Sequence, residues 1–360
     1  MPPEAIYLIL CSLLAVPLTW MVRRNTWEVL AIWTFFVIFI LTPASIIWLI
    51  GCGLLTSALM YVGDRYGHQG YLTSAGVSFL IALLISFREI PNVLWIGGAY
   101  FTLRSIHVLL DWWMDRITNP GFIRNLRYQL FLPTLISGPI NRLQVFERQI
   151  ARRRYEPSNL FGGAERLLFG LAQVVVLGGW FVSQVESKVL LNIFQIENFF
   201  SDWIHSALNW VEIYFVFAGY SSIALGLSLM MGLRLEENFN RPWAAKNLID
   251  FWLRWHMTLS LWVRDYVFQP VTALTRSPVV GVTAAMLAIG LWHETTMYYV
   301  LWALWQAMGI VLTRTVIFVA KNHSHMRIKI PISSVFSPVF VLGWLSLAHP
   351  VVTRFLELFP

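Results

Sequence analysis

Residues 251–266 read FWLRWHMTLSLWVRDY, and residues 290–306 read GLWHETTMYYVLWALWQ. Each stretch carries one histidine among apolar and aromatic side chains. The first holds His256, and the second holds His293, where we predict the first turn of a helix hydrophobic enough to enter a bilayer. A titratable ring at membrane depth is costly, so such a residue usually serves a function. The alternative is a histidine that only hydrogen bonds to a neighbouring helix, which is the more common case.

The composition predicts a membrane protein. Of the 360 residues, 57% are hydrophobic and only 12% are charged, whereas a soluble domain has about 25% charged residues. The net charge of +7 would suggest nucleic-acid binding in a soluble protein. No basic stripe follows a soluble domain, so we expect the arginines in cytoplasmic loops instead. The two cysteines, Cys11 and Cys52, lie in apolar runs and predict neither a disulfide framework nor a metal site.

Hydrophobic runs recur along the whole chain. The first, residues 5–22, is preceded by no Lys or Arg and ends at Arg23 and Arg24. This charge pattern predicts an N-terminus outside and the two arginines in the cytoplasm. The run lacks the basic start of a cleaved signal peptide, so we expect it to remain as a span. Residues 27–62 are long enough for a helical hairpin with a break near Pro43.

Two later apolar segments are short. Residues 75–87 follow a predicted polar loop at 61–74. Residues 130–140 are too short to span a bilayer and contain helix-breaking residues, so we expect this segment to be re-entrant or buried. The segment 186–202 is ambiguous, and 203–233 is either one long span or a span with a bent extension. The other predicted spans are 92–113, 160–182, 279–292, 296–319 and 331–350. The sequence therefore predicts an all-α, polytopic membrane protein with about ten or eleven transmembrane or re-entrant helices.

Two groups of polar residues leave their interpretation open. Arg104, His107 and Asp111 share one helical face, and they either line a cavity or contact another helix. A strongly basic segment is either a topogenic cytoplasmic loop or a docking surface for an acidic partner, such as a carrier protein or a nucleotide-containing donor. This segment carries Arg142, Arg148, Arg152, Arg153 and Arg154.

A single amphipathic helix is predicted to begin near Ala244 and to carry His256 at the flank of its aromatic face. Such a helix lies in a membrane interface or lines a polar cavity. The aromatic face would hold Trp252, Trp255, Leu259, Trp262 and Tyr266, and the opposite face Asp250, Arg254, Arg264 and Asp265.

The chemistry open to these residues centres on the histidines. A histidine takes and returns a proton near neutral pH, so it can deprotonate a hydroxyl that attacks a carbonyl. A second histidine or an indole N–H could stabilise the developing oxyanion. Motifs for phosphate binding, a zinc helix or a serine nucleophile are absent from the sequence.

Four phrases of the sequence resemble one known family. They are FLPTLISGPINR, FAGYSSIALGLSLMMGLRLEENFNRPW, FWLRWHMTLSLWVRDYVFQP and GLWHETTMYYVLWALWQ. In this order they resemble the membrane-bound O-acyltransferases, in particular the bacterial branch with the alginate O-acetylation and teichoic acid D-alanylation proteins. The resemblance covers roughly residues 128–310.

The resemblance implies a single membrane domain with helices around a central tunnel. Residues 5–127 would be N-terminal helices, 128–310 the catalytic core, and 311–360 a C-terminal loop and helix. It implies that His293 is the general base and His256 a supporting residue. The residues expected at the substrate or tunnel are Asn238, Arg254, Trp255, Asp265, Trp292 and Glu294. Asp265 is also expected to pair with Arg264, and Glu294 departs from the small residue that usually follows the family histidine.

The function that the resemblance implies is transfer of an acyl group, with acetyl favoured, from a cytoplasmic thioester to a hydroxyl of an exported or cell-surface polysaccharide. The donor would be acyl-CoA or an acyl carrier protein, with no permanently bound cofactor and no metal. The expected location is the cytoplasmic (inner) membrane of a bacterium. Expected partners are a periplasmic or extracellular acyltransferase and the polysaccharide export or synthase machinery, not nucleic acid. The alternatives are transfer of D-alanine or another acyl group, and a non-catalytic scaffold or transporter.

Overall fold

The computed structural model describes residues 1–22, 25–88, 95–135, 137–185, 187, 198–322 and 336–358. In these ranges the chain is helical, with no strand. Seven helices there are long and apolar enough to cross a membrane. The prediction of an all-α multi-pass membrane protein is thus confirmed. Three predicted features lie outside the described residues. They are Arg23 and Arg24, most of the ambiguous segment 186–202, and the polar loop after residue 322.

The chain divides into two compact units, which interleave along the sequence. Unit 1 comprises Met1–Val174 and Gly219–Glu236, and unit 2 comprises Val175–Ala218 and Glu237–Pro360. The prediction of one membrane domain with an N-terminal, a catalytic and a C-terminal part stays a prediction.

Unit 1 begins with four long helices: α1 Pro3–Met21, α2 Thr26–Leu41, α3 Pro43–Tyr66 and α4 Gln69–Arg88. Pro43 begins α3, as the predicted break requires, because a proline is well tolerated in the first turn of a helix.

The predicted polar loop at 61–74 is wrong. Only Gly67 and His68 separate α3 from α4, and both have positive φ angles, 81° and 64°. A left-handed residue ends a helix abruptly, so the flanking polar residues belong to helices. For the same reason the apolar segment 75–87 is longer than its hydropathy indicated, since it belongs to α4, which already begins at Gln69.

The polar face of helix α5, Gly98–Trp113, is an inter-segment contact. His107 and Asp111 are fully buried, with His107 Nδ1 3.3 Å from Asp111 Oδ2, and the backbone N–H of Leu143 donates to His107 Nε2. Arg104 Nη2 donates to Thr134 Oγ1 at 2.6 Å. These bonds fix the short segment around residues 130–140, which is buried as predicted. Helices α6, Gly121–Gln129, and α7, Leu143–Arg152, flank it.

Helices α8, Pro157–Val185, and α9, Phe199–Met230, approach closely within unit 1. A Cβ added to Gly226 would lie 2.6 Å from the carbonyl oxygen of Gly163, so only glycine permits this contact. Small residues let membrane helices pack in this way. Helix α9 is continuous, so the prediction of one long span in residues 203–233 is confirmed over a span with a bent extension.

Unit 2 contains most of the second half of the chain. Its later helices are α10 Leu248–Trp252, α11 Met257–Val263, α12 Gln269–Thr275, α13 Pro278–His293, α14 Met297–Asn322 and α15 Phe336–Glu357. The predicted single helix from Ala244 is wrong: α10 ends at Trp252, and His256, with φ of 41°, precedes α11. Likewise, His293 ends α13 instead of lying in the first turn of the next helix.

Candidate active site

A sharp backbone turn positions His256. The turn is held by residues 238–240, because the N–H of Asn240 donates to the carbonyl of Arg254 at 3.0 Å and the N–H of Met257 donates to the carbonyl of Asn238 at 2.8 Å. The fully buried Asn238 also accepts a hydrogen bond from Thr258 Oγ1 at 2.6 Å. A left-handed conformation costs a non-glycine residue about 1–2 kcal/mol. Asn238 therefore acts through the backbone of His256.

The predicted tunnel residues Arg254 and Trp255 stabilise the same turn. Arg254 Nε donates to Asp250 Oδ1 at 2.7 Å, and its Nη1 donates to the carbonyl of Asn240. Burial would raise the pKa of Asp250, but the backbone N–H of Lys246 and the Arg254 guanidinium hold it below its usual value. Trp255 is buried and stacks on Phe251, with ring centroids 5.5 Å apart.

One cavity of unit 2, about 220 Å³ in volume, brings His256 and His293 together. Aromatic side chains form much of its wall. The other lining residues are Asn209, Trp210, Ile213, Phe217, Trp252, Trp255, Leu259, Ser260, Ile289, Tyr298, Tyr299 and Trp302. Among the residues predicted at the substrate, only Trp255 joins the two histidines in this lining.

The two histidines differ in what they can reach. His256 is only 4% exposed, and its Nε2 is buried with no hydrogen-bond partner in the described part of the chain. Its ring packs edge-on against Phe217 at 4.7 Å. His293, by contrast, is exposed at the end of α13. A molecule in the cavity can therefore touch His293 more readily than the reactive edge of His256.

Aromatic rings fix the orientation of His293. Its imidazole stacks on Tyr299 at 5.6 Å and meets Trp302 edge-on at 5.9 Å. Trp292 contacts both histidine rings, His293 at 4.8 Å and His256 at 5.8 Å. Trp292 thus connects the buried histidine to the exposed one. Tyr299 and Trp302 were not predicted at the site, although both lie in the stretch 290–306 that carries His293.

The remaining predicted site residues lie outside the cavity lining. Glu294 is exposed and extended, with φ of −163°, directly after the last residue of α13. It therefore does not continue the helical face of His293. Asp265 accepts a hydrogen bond from Arg264 Nε at 2.8 Å, so the predicted ion pair is confirmed. In the described ranges, no group of His, Cys, Asp and Glu side chains has an arrangement that could hold a metal ion.

The basic segment of unit 1 divides into exposed and packed arginines. Arg148, Arg152 and Arg154 are exposed. Arg153 instead covers the ring of Trp20, with its guanidinium carbon 4.3 Å from the ring centroid, and its Nη2 donates to the carbonyl of Thr19. Arg142, at the start of α7, is partly buried. Three of the five predicted partner-binding residues are thus accessible to a partner.

One known protein family matches the part of the chain that carries this site. The model of the membrane-bound O-acyltransferase family, MBOAT, matches residues 109–343. This range covers more than half of the chain, which includes both histidines and the turn that holds His256. The chain belongs to the membrane-bound O-acyltransferase family.

Two groups of curated relatives are similar to the chain. A probable alginate O-acetylase of Pseudomonas aeruginosa is 30% identical over 258 residues, which is 68% of this chain and 49% of the relative. A teichoic acid D-alanyltransferase of Streptococcus thermophilus is 29% identical over 264 residues, 65% of this chain and 62% of the relative. That of Lacticaseibacillus rhamnosus is 25% identical over 317 residues, 76% of both chains. The chain spans about half the length of the alginate O-acetylases it matches.

Proposed function

We propose that the chain is an O-acyltransferase that moves an acyl group, with acetyl favoured, from a cytoplasmic thioester to a hydroxyl of an exported or cell-surface polysaccharide, directly or through a partner protein. One observation carries this proposal: two histidines far apart in sequence line one aromatic cavity, and one of them is exposed to it. The relatives, a probable alginate O-acetylase and a teichoic acid D-alanyltransferase, support acyl transfer as the reaction class.

His293 acts as the general base in the proposed reaction. Its imidazole takes the proton of the acceptor hydroxyl while the hydroxyl oxygen attacks the thioester carbonyl carbon. The tetrahedral intermediate then collapses, the carbon–sulfur bond breaks, and the leaving thiolate takes the proton from the imidazolium. Because His293 is the last residue of α13, the helix dipole stabilises the transient positive charge.

His256 and Trp292 position this base. The ring of Trp292 contacts both imidazoles, and the ring of His256 also packs against Phe217. The aromatic wall also excludes water, which protects a thioester from hydrolysis. This division of roles matches the different burial of the two histidines.

Replacing His293 by alanine tests the catalytic assignment. We expect H293A to insert and purify like the wild type but to lose acceptor-dependent thioester consumption, by about 100-fold or more for a general base. His68 offers a matched control, since it is exposed between α3 and α4 and its φ of 64° accepts asparagine in H68N. Unchanged turnover in H293A would leave a scaffold or transporter as the function.

The nature of the donor is tested at the exposed arginines. If D-alanine or another acyl group is delivered by an acidic carrier protein, that carrier would dock at Arg148, Arg152 and Arg154. Reversing all three charges should then abolish turnover with the carrier-bound donor and reduce it less with acyl-CoA. Arg153 stays unchanged because it packs on Trp20. Assaying both donors on the same variant supplies the control, and equal losses would contradict carrier docking.

We further infer a location in the cytoplasmic membrane of a bacterium, with the N-terminus outside and α7 in the cytoplasm. Both native cysteines are buried, which gives a low background for labelling introduced cysteines. A cysteine at position 148 should react with a membrane-impermeant maleimide only after cells are opened, and one at position 2 should react in intact cells. The reverse pattern would contradict this orientation.

A further inference from the structure

A second cavity of unit 2 adjoins the one that holds the two histidines. Its volume is about 350 Å³, and it shares Asn209 and Tyr298 with the histidine cavity. Its other polar residues include Asp202, His205, Glu212 and His349. Ligand pockets commonly occupy about 300–1,000 Å³, so the space suffices for a small ligand group.

Tyr298 forms the wall between the two cavities. Its hydroxyl lies 2.8 Å from His349 Nδ1, which fixes the side chain on the side of the second cavity. Its ring meets Tyr299 edge-on at 5.3 Å, and Tyr299 stacks on His293. A group bound in the second cavity therefore lies within a few side chains of the proposed base.

The charges of the second cavity identify the type of ligand. Asp202 pairs with Arg354, whose Nη2 lies 3.1 Å from Asp202 Oδ2, so the carboxylate of Glu212 gives the lining its surplus negative charge. A thioester donor built on a nucleotide carries phosphates and would be repelled. Carboxylate and carboxamide oxygens accept hydrogen bonds from hydroxyl groups, so the lining suits an uncharged ligand rich in hydroxyls.

We propose that the second cavity binds a neutral sugar unit of the acceptor and delivers one of its hydroxyls past Tyr298 to His293. This inference rests on the proposed acyltransferase function. It assigns acceptor selection to Glu212 and acceptor positioning to Tyr298 and His349, and it predicts discrimination against acceptors with many carboxylates.

Binding of two oligosaccharides tests the proposal without turnover. The H293A protein in nanodiscs is titrated with cellopentaose, which is neutral, and with a mannuronate pentamer, which is anionic. We expect cellopentaose to bind more tightly than the mannuronate pentamer. Adding E212Q to H293A should reduce the ratio of the two dissociation constants by about 5-fold or more, because it removes the repulsion between Glu212 and the carboxylates of the mannuronate pentamer. Y298F and H349Q should weaken binding of cellopentaose.

Glu357 supplies the matched control. It is exposed on α15, the helix that also carries His349 and Arg354, and it does not line the cavity. E357Q should leave both dissociation constants unchanged. The acceptor site would be overturned if E212Q left the ratio of the two dissociation constants as it is in H293A, or if neither oligosaccharide bound. Failure of the acyltransferase function would show separately, as thioester turnover that persists in H293A.

Discussion

Replacing His256 by glycine and, separately, by alanine measures the backbone conformation on which the site depends. At φ of 41°, alanine bears a left-handed penalty of about 1–2 kcal/mol that glycine avoids. In the continuous helix that the sequence predicts, glycine would instead be less stable than alanine by about 1 kcal/mol. Both variants lose the same ring contacts with Phe217 and Trp292, so these losses cancel in the comparison.

The assay is the thermal midpoint of each variant in nanodiscs. We expect H256G to melt above H256A by roughly 1–2 °C, because a chain of this length shifts about 1 °C for each kcal/mol. Leu261, inside α11, is the matched control, since there the alanine variant should be the more stable. If H256A also melts above H256G, the left-handed turn and its role in placing the histidine are refuted.

Two further predictions concern unit 1. Burial would raise the pKa of Glu147, but hydrogen bonds from Arg124 and Arg127 hold it below its usual value. This carboxylate therefore stabilises the fold at pH values above its unfolded pKa of about 4.3, and the stabilisation is lost as the pH falls through its pKa in the folded protein. The thermal midpoint of the wild type should therefore exceed that of E147Q at pH 7, and the difference should shrink below about pH 4; a constant difference would contradict the ion pairs. Replacing Gly226 by alanine should cost about 1–3 kcal/mol in the same assay, because its Cβ would clash with α8. Gly51→Ala, with nothing within 4 Å of the new Cβ, should be neutral or stabilising, and equal effects at the two positions would refute the close helix contact.

Hydropathy predicted most of the helices correctly because each long apolar run must bury its backbone groups internally in a membrane. It failed where a polar residue near a helix end has a partner from elsewhere in the chain. Asp64, assigned to a loop, accepts hydrogen bonds from Trp112 Nε1 and Asn119 Nδ2. Such partners lie about fifty residues away in sequence, so a local pattern does not reveal them.

The break before His256 had no local signal either. The apolar period continues from Trp252 through Trp262, and residues 253–256 contain neither glycine nor proline. Two backbone hydrogen bonds accompany the break: the N–H of Met257 donates to the carbonyl of Asn238, and the N–H of Asn240 donates to the carbonyl of Arg254. Asn238 was predicted at the substrate or tunnel, but its contact with the backbone around His256 follows only from the fold.

His293 was misplaced by one structural element, although a signal was present. The apolar run of α13 ends with it, and a basic residue in the last turn is typical of a helix C-terminus. This position matters for the chemistry, because at the end of α13 the ring of His293 is exposed and lines the cavity.

The two histidines could not be ranked by their apolar surroundings, because composition gives both the same environment. Burial separates them. The Nε2 atom of His256 is buried and its ring contacts Phe217 and Trp292, whereas His293 is exposed, lines the cavity and stacks on Tyr299. A base must reach its substrate, and a supporting residue must not move. The geometry therefore favours His293 as the base in the proposed reaction, with His256 as the supporting residue, and the ring of Trp292 contacts both imidazoles.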